Sequence, residues 1–369
     1  MLLLDKEKPA IHSSRKVAVL STSTEIQDKV SQRLRVQGME YIEILNADLF
    51  TSNIALNAED IVGIIIDIHN ETDIVRIAEY INTIVPQNIW CCLIGNSDSI
   101  TMAEKLLKRG ILYFHTDTQL DLMMEKITAS EMHTEHNRHT IKICVLGCKG
   151  GIGSSFISSH IANQIITHKK IPVLLAQGPN GSQDLDLLFD KKLQGDIVKY
   201  DDYLDLFNGK AEKLTSAQTE KYNFIIYDQP IFNINKDYFP NFFEYGNNFI
   251  LVVDRHIGSL RVAKQFLDQC ENSNQIIRTF VCISDHKAKN DQLMSKADIE
   301  TLLNTKVDTV IPFIPHTVSK NVLWVKFKKI HKNAFFSLAM KIIGILPRNN
   351  TSTDNKGLFS SLLQKLLNK

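Results

Sequence analysis

The chain has 369 residues, 44% hydrophobic and 22% charged, with Lys+Arg 42 against Asp+Glu 41. That length predicts two or three domains, each able to bury its own core. The balanced charge excludes a global field that would gather nucleic acid or steer an acidic substrate. Six cysteines (Cys91, Cys92, Cys144, Cys148, Cys270, Cys282) form no C-x-x-C pair and read as reduced core thiols. The opening MLLLDKEKPA is too short an apolar run for a signal peptide, and no stretch reaches a transmembrane length. The expected location is the cytoplasm.

Residues 17–20, 61–66, 90–94 and 111–114 are short apolar runs that predict buried strands, and 39–45 is a weaker one with polar interruptions. Helical spacing fills 25–37, 73–84, 100–108 and 120–129. Alternation of the two patterns predicts a small doubly wound α/β domain over residues 1–130. Its order and lengths resemble a response-regulator receiver domain, with Asp67 of GIIIDIHN in the place of the phosphorylated aspartate. The neighbours that chemistry needs are absent. Ser21-Thr22-Ser23 stands where receivers carry acids for Mg2+, the fourth strand ends in Gly95-Asn96, and no lysine follows Phe114. A lone carboxylate has no charge-neutralising partner for an incoming phosphoryl group. The domain therefore reads as an atypical, receiver-shaped docking module. Residues 131–140, EMHTEHNRHT, hold His133, His136 and His139; nothing forces them onto one face, so this stretch reads as a polar linker rather than a metal site.

The stretch 141–166, IKICVLGCKGGIGSSFISSHIANQII, organises the second part. An apolar run to Leu146 predicts a strand, and Ile157, Ile161 and Ile165 recur at a spacing of four, predicting a helix. Between them lies the glycine turn Lys149-Gly150-Gly151-Ile152-Gly153-Ser154-Ser155. Strand, glycine turn and helix N-terminus make a phosphate site, because the backbone can approach the ligand and aim N–H groups at its oxygens. The plain G-x-x-x-x-G-K-[ST] loop fails at two positions: Cys148 replaces the first glycine and Ser154 the phosphate-gripping lysine. A lysine at the start of the loop, Lys149, resembles instead the deviant Walker A motif of the ParA/MinD ATPases, K-G-G-x-G-K-[ST].

That resemblance implies ATP with Mg2+, held by Lys149, Gly150, Gly151, Ile152, Gly153, Ser154 and Ser155, with Ser155 and Asp228 as the metal pair. Tyr222 to Pro230, YNFIIYDQP, matches the family's Walker B strand running into Asp228. Leu185-Asp186-Leu187-Leu188 fits the family's N-L-D-L-L, but Gln177 and Pro179 replace the two acids before it, the second being the one that orients attacking water. Proline has neither a carboxylate nor an N–H for that task. Ser259-Leu260-Arg261-Val262-Ala263 resembles the S-L-R-x-A helix; Ala297-Asp298-Ile299-Glu300 and Val310-Ile311-Pro312 match the later helix and strand. The asparagine that reads adenine is not evident in CISDHK. The chain thus reads as at most a weak ATPase, and the family's sandwich dimers imply a homodimer.

Receiver-like module, linker and a P-loop ParA/MinD-like domain over 141–346 follow in an order similar to the TadZ/CpaE proteins of tight-adherence (Flp) pilus assembly. The resemblance implies a localisation and assembly factor that contacts pilus secretion machinery, at the cell pole or inner-membrane periphery, without nucleic acid. The alternative is an active partition- or division-type ATPase that positions DNA or a septum. Residues 347–369 read as a polar tether and an amphipathic helix from Gly357 to Lys369, with Leu358, Leu362 and Leu366 on one stripe; a membrane surface and a protein partner are equally open for it. The basic run KFKKIHK (326–332) reads as a solvated helix face.

Overall fold

In a computed structural model, the described residues span 16–344 except 51–53, 55, 57–59, 88, 130, 133–138, 179, 183, 194–196, 208, 210, 274, 276, 287–293 and 318. His133, His136, Pro179 and the tail 357–369 thus lie outside the described residues. Backbone contacts divide the chain into two compact units, Met1–Ala78 with Asn88–Asn137, and Glu79–Gln87 with Arg138–Lys369.

The elements before residue 130 are β1 (Lys16–Leu20), α1 (Thr24–Val36), β2 (Ile42–Leu45), β3 (Ile61–Asp67), α2 (Ile74–Ile84), β4 (Trp90–Gly95), α3 (Ile100–Leu107), β5 (Leu112–His115) and α4 (Leu120–Thr128). All five strands are parallel, in the order β2-β1-β3-β4-β5. β3 and β4 are nearly continuous apolar runs because parallel strands are covered on both faces. Gly63 is required inside β3, since a Cβ there would fall 1.9 Å from the Trp90 ring. Ser23 and Ser99 cap α1 and α3 through their hydroxyls, each accepting a backbone N–H three residues on. One core cluster joins Val30, Leu34, Ile65, Ile94, Met123 and Ile127, and it takes in Met132 beyond α4.

The second unit contains β6 (Ile141–Gly147), α5 (Ser154–Lys169), β7 (Val173–Gln177), α6 (Leu185–Phe189), β8 (Val198–Lys199), β9 (Leu204–Phe207), α7 (Ser216–Thr219), β10 (Phe224–Pro230), β11 (Asn248–Val253), α8 (Ile257–Glu271), β12 (Arg278–Ser284), α9 (Lys296–Leu303), β13 (Thr309–Ile311) and α10 (Lys329–Ile342). Its sheet runs β13-β12-β11-β6-β10-β7-β9-β8, parallel except for β8 against β9. Alternate residues of each strand feed two cores. Ile143, Val145, Ile226 and Ile250 meet α5 and α10 on one face, whereas Cys144, Leu146, Ile225 and Leu251 meet α8 and α9 on the other. β6 sits between β10 and β11, and its register pairs Val145 with Asp228 and Leu146 with Gln229. Carboxyl ends of the central strands therefore open onto the glycine turn, where doubly wound sheets place their ligands.

The helix expected over 326–332 is only half present. Val325 to Lys328 is extended, with Val325 and Phe327 turned partly inward, and α10 starts at Lys329. Packing of Phe327 on Phe335, rings 5.1 Å apart and stacked, holds the extended part against the core.

Candidate functional site

Two features of the chain shape the loop after β6. Gly151 (φ +74) and Gly153 (φ +85) adopt left-handed backbone that other residues adopt only under strain. Gly153 is the N-cap of α5, and the first i→i−4 bond is Ile157 N–H to Gly153 C=O at 2.9 Å. The N–H groups of Ser154, Ser155 and Phe156 thus precede the helical ladder and form the open end of the helix dipole. Ser284 fixes the loop from the side by donating to the Ile152 carbonyl at 2.7 Å. A cleft of about 720 Å³ lies over this turn, bordered by Lys149, Ser155, Asn180, Asp184 and Phe232.

Beneath the cleft, the Ser155 hydroxyl donates to Asp228 Oδ2 at 2.5 Å. Asp228 is buried, and its other oxygen, Oδ1, has no hydrogen-bond partner among the described residues. Burial pushes its carboxyl up to about 6; the nearby Asp184 carboxylate adds to this and the Ser155 hydroxyl opposes it. A buried carboxylate with one vacant oxygen beside a serine hydroxyl is a fit donor set for a hard divalent cation such as Mg2+.

Ser154 takes no part in that pair. Its side chain lies against Gly147, where a Cβ would come within 2.8 Å of the Ser154 hydroxyl. Lys149, the lysine left in the loop, is engaged as well: its Nζ sits 2.6 Å from Asp254 Oδ2 at the end of β11. Asp254 also accepts from the Ser259 hydroxyl (2.6 Å) and the His256 N–H (3.0 Å). Burial alone would raise the Asp254 carboxyl, but Lys149, Ser259 and the His256 N–H together hold it below the usual range. Sequence reading missed Asp254 as a partner of Lys149. The available signal was an acid closing an all-apolar strand that could pair beside β6.

Gln177 ends β7 next to Asp228. Its amide donates to Asp184 Oδ1 at 2.9 Å and to Ser182 Oγ at 3.2 Å. As read from the sequence, Gln177 rather than an acid ends β7; the described residues add Asp184 further on, which sequence reading missed. Gly178 and Gly181 make the turn possible: a Cβ at Gly178 would meet the Gln229 amide oxygen at 2.1 Å, and one at Gly181 would meet Gln177 Cβ at 2.6 Å. In CISDHK, Ser284 is spent on the loop and Asp285 forms a two-pronged pair with Arg255 at 2.6 and 3.2 Å. Cys144 and Cys148 lie under the site, with burial pushing both thiols up, to about 12 for Cys144, so neither is a thiolate nucleophile.

In the first unit, Asp67 is buried and both oxygens are occupied. Ser21 donates to Oδ2 at 2.7 Å, the His69 N–H donates to Oδ1 at 2.9 Å, and His69 Nδ1 lies 3.1 Å from Oδ2. His69, in left-handed backbone at φ +51, also contacts the Thr22 hydroxyl through Nε2 at 3.0 Å. Sequence reading named Asp67 and Ser21 but not His69.

Fold and loop together define a parallel α/β domain with a P-loop-type strand, glycine turn and helix. Neither a family model nor a curated protein matches the chain. Among solved structures it is similar to a ParA family ATPase from Chlorobium tepidum TLS (18% identity, 55% of this chain and 99% of that one, TM-score 0.45). It is likewise similar to the MinC:MinD cell division complex of Aquifex aeolicus (18% identity, 58% and 100%, TM-score 0.48). A third likeness is the septum site-determining protein MinD with Mg-ADP from Pyrococcus horikoshii OT3 (16% identity, 55% and 98%, TM-score 0.42).

Proposed function

We propose that the protein is a nucleotide-responsive scaffold of ParA/MinD type with little or no ATP turnover, acting in the assembly and placement of tight-adherence pilus secretion machinery. One observation carries the nucleotide part. The glycine turn keeps its backbone donors and the Ser155–Asp228 pair, while the position of the phosphate-gripping lysine holds Ser154, folded against Gly147. ATP would lie with its phosphates over residues 150–155, and Ser155 and Asp228 would hold Mg2+, which supplies the charge neutralisation the loop lacks. The described part of the cleft carries Asp184 and a lysine already paired with Asp254, over the buried Asp228, so it favours the Mg2+ complex of a nucleotide over the free anion. Gln177, an amide, can hold groups in place but cannot take a proton from water as a carboxylate would.

The pilus part rests on the order of domains read from sequence: an atypical receiver-like module, a linker, then the P-loop domain. The first unit's 2-1-3-4-5 parallel order supports the receiver-like reading. Ser21 and His69 on Asp67 support a docking module over a phospho-acceptor, because both oxygens a phosphoryl group or metal would need are engaged. Calorimetry with Mg-ATP and Mg-ADP, alongside sedimentation for a homodimer, tests the first part. For the second, a strain lacking the protein should lose surface pili while plasmid retention and division stay normal. Lost partition with intact pili would select the partition-ATPase alternative.

A further inference from the structure

The near-zero net charge conceals a segregated one. Residues 309–353 contain no Asp or Glu and seven basic residues, which leaves the rest of the chain at −6 against a total of +1. Two of the seven are engaged elsewhere: Lys341 is buried and donates to the Asp308 carbonyl at 2.6 Å, and the exposed Lys320 pairs with Asp190 at 3.2 Å. Lys326, Lys328, Lys329 and Lys332 are exposed, and none forms an ion pair among the described residues.

These four share a strip with apolar side chains turned to solvent. Trp324 (63% exposed) faces out at the end of the short 3-10 turn Val322–Trp324; along the extended segment that follows, Lys326 and Lys328 face out while Val325 and Phe327 face partly inward. The first turn of α10 continues the strip with Lys329, Ile330 (58% exposed) and Lys332 around the buried His331. Phe327, stacked on Phe335 and 4.6 Å from the His160 ring, pins the strip from behind, so it is presented on a fixed support. A first helical turn with lysines and no acid runs against the helix dipole, a local cost that packing alone does not explain.

We propose that Trp324, Lys326, Lys328, Lys329, Ile330 and Lys332 form a docking surface for an anionic lipid bilayer. The lysines would meet headgroup phosphates, and Trp324 and Ile330 would enter the boundary between headgroups and acyl chains, where indole rings and aliphatic side chains gain most. Ile330 decides against nucleic acid, since an aliphatic side chain standing among lysines offers nothing to a phosphate or a base edge. The charge of the remaining body agrees, because a −6 remainder is repelled by the same leaflet and turns this strip toward it. None of the strip's residues lines the nucleotide cleft, although Phe327 behind them lies 6.0 Å from the ring of Phe156 at the cleft's border, and the test needs no nucleotide.

Each lysine close to an anionic leaflet multiplies binding by about fivefold. Four give a preference of roughly 100- to 1,000-fold for charged over neutral membrane. The full-length protein is sedimented, without nucleotide, with vesicles of phosphatidylglycerol and phosphatidylcholine in equal parts and with pure phosphatidylcholine. Binding to the first only is expected, with a blue shift of tryptophan emission that is lost in Trp324→Phe. The triple variant Lys326→Glu, Lys328→Glu, Lys329→Glu should lose about 100-fold or more of the binding. The matching alanine variant should lose less, and neither variant should melt below the wild-type midpoint, the glutamate variant gaining slightly from relief of the dipole conflict. Deleting 357–369 separates this strip from the tail: the blue shift should persist. No binding to either vesicle, binding unchanged in the triple variant, binding abolished by tail deletion alone, or capture of duplex DNA in place of vesicles would each overturn the proposal.

Discussion

Replacing Asp254 with Asn should tighten nucleotide binding, because the pair it breaks competes with the ligand for Lys149. A charge-assisted hydrogen bond contributes roughly 1.5–3 kcal/mol, and with Lys149 38% exposed in its side chain, solvent screening reduces this to about 1–2 kcal/mol. If Lys149 must leave Asp254 to reach a phosphate, only about 3–20% of molecules are ready to bind at any moment. Removing the competition should then strengthen Mg-ATP binding about 5- to 30-fold, read by calorimetry. In a Lys149→Ala background the same change should do nothing, since there is no ammonium to release. The fold should lose about 1–2 kcal/mol, as the Ser259 hydroxyl and the His256 N–H still find the Asn oxygen. The pH dependence has a definite sign. Asp254 is held below its unfolded value, so the pair stabilises the protein above about pH 4 and is lost as pH falls through the lower folded value, where wild type and variant should converge. Unchanged or weaker nucleotide binding by a folded Asp254→Asn protein would show that Lys149 is not held back by this contact.

ATP turnover by the wild type should be very slow or absent, and Ser154→Lys with Pro179→Asp should raise it in a phosphate-release assay; wild-type turnover at the rate of an active ATPase, abolished by Asp228→Ala, would refute the degenerate reading. Asp228→Asn should stabilise the ligand-free protein at pH 7.5 by about 2–4 kcal/mol, with the gain disappearing below about pH 4, because burial raises the folded carboxyl to about 6 and only the ionised form bears the desolvation cost. For the same reason Mg-nucleotide affinity in the wild type should fall as pH drops through about 6, which a calorimetric series would detect. Removing 357–369 should leave the thermal midpoint unchanged yet disperse a fluorescently labelled protein from its cellular site; a loss of several kcal/mol would mean that the segment packs on the body.

Most strands of both units were legible because parallel strands buried on two faces are near-continuous apolar runs, as residues 61–66 and 249–253 are. The hairpin of β8 and β9 was not, since β8 is only two residues long, Asp201 and Asp202 fill its turn and Asp205 breaks the apolar run of β9. The loop itself could be read residue by residue, because its glycines answer to backbone geometry within seven positions. Its electrostatics could not. Whether Lys149 is free depends on Asp254, 105 residues away, and the company of Asp228 depends on Asp184 folding back beside β7. Sequence spacing carries no information on such encounters until the strand order is known.

Under the proposed function, that difference links Ser154 to the Ser155–Asp228 pair. A lysine at position 154 and an unpaired Lys149 would face phosphates with two positive charges, and the buried Asp228 would then serve only to hold the metal. With Ser154 turned against Gly147 and Lys149 on Asp254, the charge left to meet a triphosphate from the described residues is negative. Only a cation brought with the ligand can reverse it. Chelating Mg2+ should therefore abolish nucleotide binding outright here, whereas a loop with its own lysine would keep part of it. Residual binding of ATP in excess chelator, unchanged by Asp228→Asn, would mean that backbone N–H groups of Ser154 to Phe156 hold the phosphates unaided.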